Sequence, residues 1–258
     1  QDIEKEEFDL LLNNMPISRS DAALFADETY NMLGDDSKAK RVKQINRRIK
    51  KTGYVVDRKN SGRDVLTLVN PETQSVHVAH RGTDLRRFDD LKADIGIAYG
   101  ATKNRKQFQT RTRKTQKALQ DYPDHYASLS GHSYGGTSVY RTLVSLPEEA
   151  RERIADAQTF NAGATVIKEA DDLSPEATSS LKKKLTHHRV SGDVISASMK
   201  VNKPIGKVKT YREKPKSFIS IAADVALSQV PFVNLTRGAL NAHHMEHFYD
   251  KSKYHDEQ

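Results

Sequence analysis

The chain has 258 residues and carries 42 Lys and Arg against 34 Asp and Glu, which gives a net charge of +8. It contains no cysteine, which excludes disulfide bonds, thiolate zinc sites, iron–sulfur clusters and a cysteine nucleophile. Its closest approach to a membrane span, residues 218–235, is interrupted by polar residues and a proline, so no apolar run reaches the roughly 18 residues required. The N-terminal QDIEKEEF lacks the basic start and apolar stretch of a signal peptide. These features predict a soluble globular protein.

The first part of the chain predicts helices. Apolar residues recur at helical spacing over residues 1–33, and Ser20-Asp21 has the chemistry of a cap before the second helical piece. Residues 38–51 predict a basic helix with one apolar stripe, made of Val42, Ile45 and Ile49.

Beyond Gly53 the pattern changes to strands. Residues 54–56 and 64–69 predict strands, and residues 75–80 predict the partner of the second after a turn at 70–73. The remaining elements alternate: helices over 103–120, 134–145 and 175–184, strands over 125–130, 156–162, 186–191 and 207–212, and an apolar helix from 218. Strands separated by helices predict a mostly parallel sheet covered on both faces. We therefore expect a single α/β domain over residues 1–258, with 1–52 as an N-terminal helical extension and about 53–250 as the core.

A G-x-S-x-G pentapeptide lies between the strand predicted over 125–130 and the helix predicted over 134–145. It reads Gly131-His132-Ser133-Tyr134-Gly135, with Gly136 next. Such a pentapeptide on a tight strand-to-helix turn exposes a nucleophilic serine. The alternative is a glycine-rich turn with an incidental serine, and the surrounding strand and helix favour the nucleophile.

A serine nucleophile needs an acid and a base. In proteins whose nucleophile lies on such a strand-to-helix turn, the acid (Asp or Glu) follows the serine in the chain and the base (His) follows the acid. Asp193 directly follows a predicted strand and is favoured over Asp171 and Asp172, which precede a helix as capping residues do. Three histidines, His243, His244 and His247, are candidates for the base. A position just before the last helix favours His243. The four-residue spacing of His243 and His247 also suits a metal, but no H-E-x-x-H core accompanies it.

The donors for a developing oxyanion are expected from two places. One is the backbone N–H of Tyr134, the residue after the nucleophile. The other is the loop after an early strand, His80-Arg81-Gly82-Thr83, in which Thr83 N–H is the natural donor and Gly82 allows a close approach. The alternative is a structural loop with a solvated Arg81.

Together these blocks resemble the class 3 lipases of the α/β-hydrolase fold. The resemblance covers about residues 55–250 and rests on HRGTD (80–84), DLKADI (90–95), SGHSYGG (130–136), TFNAGA (159–164) and HRVSGDVIS (188–196). It implies that Ser133 is the nucleophile, Asp193 the acid, and Thr83 and Tyr134 the oxyanion donors. Its end region selects His243 as the base in one alignment and His247 in another. Tyr134 stands where the family usually has Leu.

We therefore expect a serine carboxylic ester hydrolase of lipase or phospholipase type, with no metal or organic cofactor. One alternative is a catalytically silent hydrolase-fold protein that serves as a basic structural or binding component. Another is a thioesterase or peptidase with the same triad.

Basic residues are concentrated in three runs, residues 38–51, 103–117 and 200–216. They allow peripheral contact with an anionic membrane, to which Arg111 and Lys114 of the second run are expected to contribute. The alternative is that each run is a solvated face without a partner. Nucleic acid is disfavoured, because the chain has no zinc-finger, RRM or KH signature.

Overall fold

The computed structural model describes residues 17–82, 105–163, 173–191 and 204–213, together with 196, 245, 248 and 254–256. In these ranges eight strands form one sheet, ordered as in the chain: β1 (Val55–Val56), β2 (Val65–Asn70), β3 (Ser75–His80), β4 (Tyr126–His132), β5 (Ile154–Phe160), β6 (Leu185–Val190), β7 (Lys207–Glu213) and β8 (Tyr254–Asp256). Strands β3 to β7 are parallel, whereas β1, β2 and β8 pair antiparallel with their neighbours. The predicted mostly parallel sheet is confirmed.

Six α-helices accompany the sheet: α1 (Arg19–Glu28), α2 (Lys38–Ile49), α3 (Arg105–Asp121), α4 (Tyr134–Ser145), α5 (Glu148–Glu152) and α6 (Pro175–Lys184), all within the described ranges. Short 3₁₀ turns extend the first two, over Thr29–Met32 and Lys50–Thr52. Helices α4 and α6 match the predicted ranges, while residues 1–16 and the helix expected from 218 lie outside the described residues. None of the described helices is both long and apolar enough to cross a membrane.

Side chains alternate between the two faces of the sheet, as the period of a strand requires. Val65, Val78 and Leu129 pack with residues of α3 and α4, among them Leu119 and Leu143. On the opposite face, Leu66, Leu68 and Ala79 pack with residues of α1 and α2, including Phe25 and Ile45. Helices therefore cover both faces, as predicted for an α/β domain, and the N-terminal helices supply one of the two layers.

Helix α1 begins one residue after its cap, Ser18, whose hydroxyl accepts a hydrogen bond from the N–H of Asp21 at 3.0 Å. The prediction of a cap at Ser20-Asp21 is therefore wrong. Ser18 has the extended backbone that lets its side chain reach back over the first turn, and Ser20 already lies inside that turn.

Histidines occupy the interior of the sheet. The ring of His77 hydrogen-bonds to the hydroxyls of Ser128 and Ser130, both at 2.7 Å. His187 bonds to the hydroxyl of Thr159 at 2.7 Å and to the carbonyl of Ile205 at 2.9 Å. In each ring one nitrogen can donate and the other accept, which suits the neutral form. Burial lowers the pKa of His77 to about 3 and that of His187 to about 4.

The free energy of unfolding should depend on pH through these buried histidines. An unfolded histidine has a pKa near 6.5, well above the folded pKa values of about 3 for His77 and about 4 for His187. Below about pH 6.5 the unfolded chain binds more protons, so stability that is present above that pH is lost as the pH falls. We expect a loss of up to about 1.4 kcal/mol per histidine per pH unit, measured by urea unfolding between about pH 7.5 and 5.5.

The matched variant is His187→Gln. It should be less stable than the wild type at neutral pH, yet its stability should fall less steeply on acidification, because one proton-linked group is gone. A wild-type stability that stays constant over this pH range would contradict the assignment of neutral, buried rings.

Candidate active site

Ser133 lies at the turn between the end of β4 and the start of α4, with φ at 55° and ψ at −126°. Residues other than glycine rarely adopt a positive φ, and where they do the strain often marks a functional site. Its N–H donates to the carbonyl of Phe160 at the end of β5, at 2.9 Å, and its own carbonyl accepts from Thr137 at 3.2 Å. The strained turn thus joins two neighbouring strands and the first turn of a helix, which is the geometry of a nucleophile elbow.

The glycines around Ser133 are explained by backbone crowding. A Cβ on Gly131 would lie 2.4 Å from the carbonyl carbon of Gly135, and one on Gly136 would lie 2.6 Å from the Cβ of Ala162. A Cβ on Gly135 would lie 2.2 Å from the carbonyl oxygen of His80. The pentapeptide therefore allows strand, turn and helix to approach more closely than side chains would permit.

The loop after β3 packs directly on this elbow. Strands β3 and β4 are parallel, with His80 opposite Gly131, so their carboxyl ends meet at one edge of the sheet. A Cβ on Gly82 would lie 2.6 Å from the carbonyl of His132 and 2.2 Å from the hydroxyl of Tyr30. The predicted close approach at Gly82 is confirmed. It brings the chain that leads into Thr83 next to the N-terminus of α4.

The side chain of His80 links the end of β3 to two helices by hydrogen bonds. Its Nδ1 hydrogen-bonds to the hydroxyl of Ser138 on α4 at 2.9 Å, and its Nε2 to that of Thr115 on α3 at 2.8 Å. Burial, and secondarily the charge of Arg111, holds the pKa of His80 well below its ordinary value. This role of His80 was not predicted from the sequence. The signal that could have indicated it is the hydroxyl residue on the buried side of each helix, Thr115 on α3 and Ser138 on α4.

Tyr30 brings the N-terminal helices into the site. Its hydroxyl hydrogen-bonds to Nδ1 of His132, the residue before Ser133, at 2.9 Å. The same hydroxyl is the atom that crowds Gly82. Tyr30 therefore contacts both the elbow and the loop after β3, and nothing in the sequence around it indicates this.

Arg111, on α3, contacts both the loop after β3 and the first residue of α4. It is 2% exposed, and its Nη1 donates to the carbonyl of Arg81 at 2.6 Å. Its guanidinium carbon lies 4.9 Å from the centre of the Tyr134 ring. Lys114 is paired with Asp64 at 2.8 Å. The expectation that Arg111 and Lys114 belong to one exposed membrane-contacting face is therefore wrong, because α3 turns Arg111 toward the sheet.

The structure describes two of the predicted site residues, Ser133 and Tyr134, and brings them together at the elbow. The other five lie outside the described residues: Thr83, Asp193, His243, His244 and His247. Parts of the chain on either side of them are described. β6 ends at Val190, shortly before Asp193, at the same edge of the sheet as Ser133.

Met245 and Phe248, which flank His247, are buried. They pack in one cluster with Phe160 and Val190, and the rings of Phe160 and Phe248 lie 4.9 Å apart. Since Phe160 also accepts the hydrogen bond from Ser133, Met245 and Phe248 pack near the strand end that supports the elbow. Across the described ranges, no three His, Asp or Glu side chains are grouped so that they could hold a metal ion.

Comparison with known proteins gives matches among solved structures only; no protein-family model and no curated protein matches the chain. The match to one fungal lipase structure covers 84% of this chain and 83% of the lipase chain, with 12% identity and a TM-score of 0.47. The Rhizomucor miehei lipase–propeptide complex covers 76% and 67%, with 10% identity and a TM-score of 0.46. The Lip2 lipase of Yarrowia lipolytica covers 74% and 76%, with 12% identity and a TM-score of 0.44.

Replacing Gly135 should disturb the site through backbone contact alone. In Gly135→Ala the new methyl meets the carbonyl of His80 and the backbone of Arg81 and Gly82, at 2.2, 2.8 and 2.9 Å. None of these atoms is the end of a flexible side chain, so the loop after β3 must move. We expect a loss of about 1–3 kcal/mol in the free energy of unfolding, measured with urea.

The control is Gly62→Ala, whose nearest heavy atom would be the amine of Lys114 at 3.8 Å, an ordinary contact. This variant should stay within about 0.5 kcal/mol of the wild type. Equal stability of the two variants would contradict the close approach of loop and elbow.

Proposed function

We propose that this protein is a serine carboxylic ester hydrolase of lipase or phospholipase type. The observation that carries the proposal is the conformation of Ser133, a serine strained at a strand-to-helix turn with the loop after β3 packed against it. A nucleophile in this position is presented at the edge of the sheet, where a bound ester can reach it.

In the proposed reaction, the Ser133 oxygen attacks the ester carbonyl while His243 takes the serine proton. The same proton is then given to the leaving alcohol, and water hydrolyses the acyl-enzyme by the reverse sequence. Asp193 holds the histidine in the tautomer that accepts at the right nitrogen. The N–H groups of Thr83 and Tyr134 stabilise the oxyanion.

The N-terminus of α4 supports the role of Tyr134. Tyr134 is the first residue of that helix, where N–H groups point out of the helix end and the helix dipole favours negative charge. The contact between Gly82 and His132 supports the role of Thr83, because it brings the preceding backbone to the same helix end. Preorganised donors of this kind are often the largest contribution to acyl-transfer catalysis.

A catalytically silent protein of the same fold is the alternative from another class. The strain at Ser133 favours the enzyme, since a glycine would adopt a positive φ there at lower cost. A thioesterase or peptidase would use the same groups, and the choice of acyl compound in the assay separates these activities from ester hydrolysis.

We propose that the exposed face of α2 is the surface that contacts a lipid membrane. Helix α2 buries Val42, Ile45 and Ile49 and has no acidic residue. On its outer side and in the following 3₁₀ turn lie exposed cations that form no ion pair with another described residue: Lys43, Arg47, Lys50 and Lys51. Val55, 49% exposed, lies on the adjoining edge strand β1. Positive charges beside an exposed apolar side chain suit the surface of an anionic phospholipid membrane.

Replacing the nucleophile should abolish turnover. We expect Ser133→Ala to lower kcat on a chromogenic ester by a factor on the order of 10⁶, as removal of a triad serine does. His243→Ala should be equally damaging and His247→Ala milder. Turnover is measured on esters of increasing acyl length, with a thioester and a peptide for comparison.

The matched control is Ser145→Ala, at the exposed end of the same helix, which should behave as the wild type. A Ser133→Ala variant that keeps a tenth of the wild-type rate overturns the mechanism. Wild-type turnover by His243→Ala would transfer the role of base to His247 or His244.

Removing charge from α2 should weaken membrane binding. At about 1 kcal/mol per basic residue near an anionic surface, the double variant Lys43→Gln with Arg47→Gln should bind phosphatidylserine-containing vesicles about 30-fold more weakly. Binding should also fall as salt rises, whereas turnover of a small soluble ester should not change. Co-sedimentation with vesicles measures the binding.

The control pair is Lys182→Gln with Lys183→Gln, two exposed lysines on α6, which covers the opposite face of the sheet. If the two pairs bind equally, or if neutral vesicles bind as well as anionic ones, α2 is not the contact surface.

A further inference from the structure

We propose that Arg111 is a positioning residue that sets the distance between the two sides of the oxyanion hole. This inference rests on the proposed hydrolase function and goes beyond its triad. The Arg111 side chain donates to the carbonyl of Arg81, two residues before Thr83, at 2.6 Å. Its guanidinium also lies over the ring of Tyr134, 4.9 Å from the ring centre. A single side chain therefore contacts both segments that carry the proposed donors.

The ring of Tyr134 is fixed from two directions. Phe108, one turn before Arg111 on α3, packs against it with 4.9 Å between ring centres. The guanidinium of Arg141 lies over Phe108 in turn, at 4.7 Å. Because Tyr134 is the first residue of α4, fixing its side chain also fixes the peptide whose N–H faces the oxyanion. A leucine, usual here in the family that the sequence resembles, has no ring face for a guanidinium.

The loop side is fixed equally closely. The N–H of Arg81 donates to the carbonyl of Asp64 at 3.0 Å, and its Nε donates to the carbonyl of Arg63 at 2.5 Å. The hydrogen bond from Arg111 engages the remaining backbone group of Arg81, its carbonyl. The orientation of the peptide between Arg81 and Gly82 therefore depends on Arg111.

Stability alone does not account for a buried arginine here. Within the described residues no carboxylate forms an ion pair with Arg111, because the nearby Asp64 is engaged by Lys114 at 2.8 Å. Among the described residues, the Nε of Arg111 has no hydrogen-bond partner. Burial lowers the pKa of Arg111 to about 10. A buried charge without a close counterion is unfavourable, and an apolar side chain would fill the same space at lower cost. A planar guanidinium can stack on the Tyr134 ring and donate a hydrogen bond to the Arg81 carbonyl at the same time, which explains why an arginine occupies position 111.

The consequence for catalysis is specific to the transition state. Oxyanion donors must lie about 2.7–3.1 Å from the position of the developing charge, which is absent in the bound ester. Loosening either side should therefore lower kcat and leave KM nearly unchanged.

The test compares Arg111→Met, Arg111→Lys and Tyr134→Leu with Arg113→Met, an exposed arginine on the same helix, as the control. Kinetics on the best ester are normalised to active sites titrated with a fluorophosphonate. The affinity for a boronic acid, which forms a tetrahedral adduct with the serine, is measured in parallel.

We expect kcat to fall about 10- to 100-fold in Arg111→Met, with KM changed less than about twofold and boronate affinity reduced in proportion to kcat. Arg111→Lys keeps the charge but should not restore kcat, because an ammonium lacks the planar fork. Arg111→Met combined with Tyr134→Leu should lose less than the product of the single effects, because both remove one interaction. Arg113→Met should match the wild type.

A merely structural arginine would lower the melting temperature and leave kcat per titrated site unchanged, which would overturn the proposal. A rise in KM at constant kcat would overturn it too, as would full recovery of kcat in Arg111→Lys. If Arg111→Met does not fold, Arg111→Lys and Tyr134→Leu decide by the same measurements. A wild type that hydrolyses no ester is a failure of the proposed function, whereas an active wild type with normal variants is a failure of this inference alone.

Discussion

The carbonyl of His80 and the Cα of Gly135 lie so close that a methyl group at position 135 would come within 2.2 Å of that oxygen. The candidate site depends on this contact. Through it the loop after β3 lies against the first turn of α4, and Ser133 is confined to a backbone conformation that serine seldom adopts. The parallel register of β3 and β4 puts the two segments side by side, and the absence of side chains at Gly82 and Gly135 lets them touch.

Polar side chains from distant parts of the chain maintain this contact. His80 joins β3 to α3 and α4 through two hydroxyls, and Tyr30 reaches across from the N-terminal helices to His132. Arg111, on α3, contacts both the Arg81 carbonyl and the Tyr134 ring. Buried polar groups of this kind are costly unless their partners are in place, so each of them favours one arrangement over looser ones. The site is therefore surrounded by groups that specify its geometry, while apolar packing of the sheet supplies the support behind it.

Sequence reasoning predicts the elements well because their signals are local. The stripe of Val42, Ile45 and Ile49 defines α2, and the pentapeptide around Ser133 predicts both the turn and the need for glycine. The contacts that complete the site are not local: Tyr30 and His132 are 102 residues apart in the chain. No periodicity or motif links such residues, and only the assembled sheet brings them together.

The basic run over 103–117 shows a different limit. Its charge predicts an exposed face, yet Phe108, Arg111, Thr115 and Ala118 form the stripe of α3 that is buried against the sheet. The helical spacing of these four residues is visible in the sequence. An arginine at one of these positions is nevertheless predicted to face solvent, because buried charges are rare. The burial of Arg111 is explained by its contacts with the Tyr134 ring and the Arg81 carbonyl, which only the folded structure shows.

The most direct test of a strained, activated serine is covalent labelling of the wild-type protein by a fluorophosphonate, followed by fragmentation of the tryptic peptide over residues 118–141. That peptide also contains Ser128, Ser130 and Ser138, so the position of the adduct is informative. We expect one adduct per chain, placed on Ser133, and none after the protein has been unfolded in urea. An unlabelled native protein, or an adduct on one of the other serines, would contradict it.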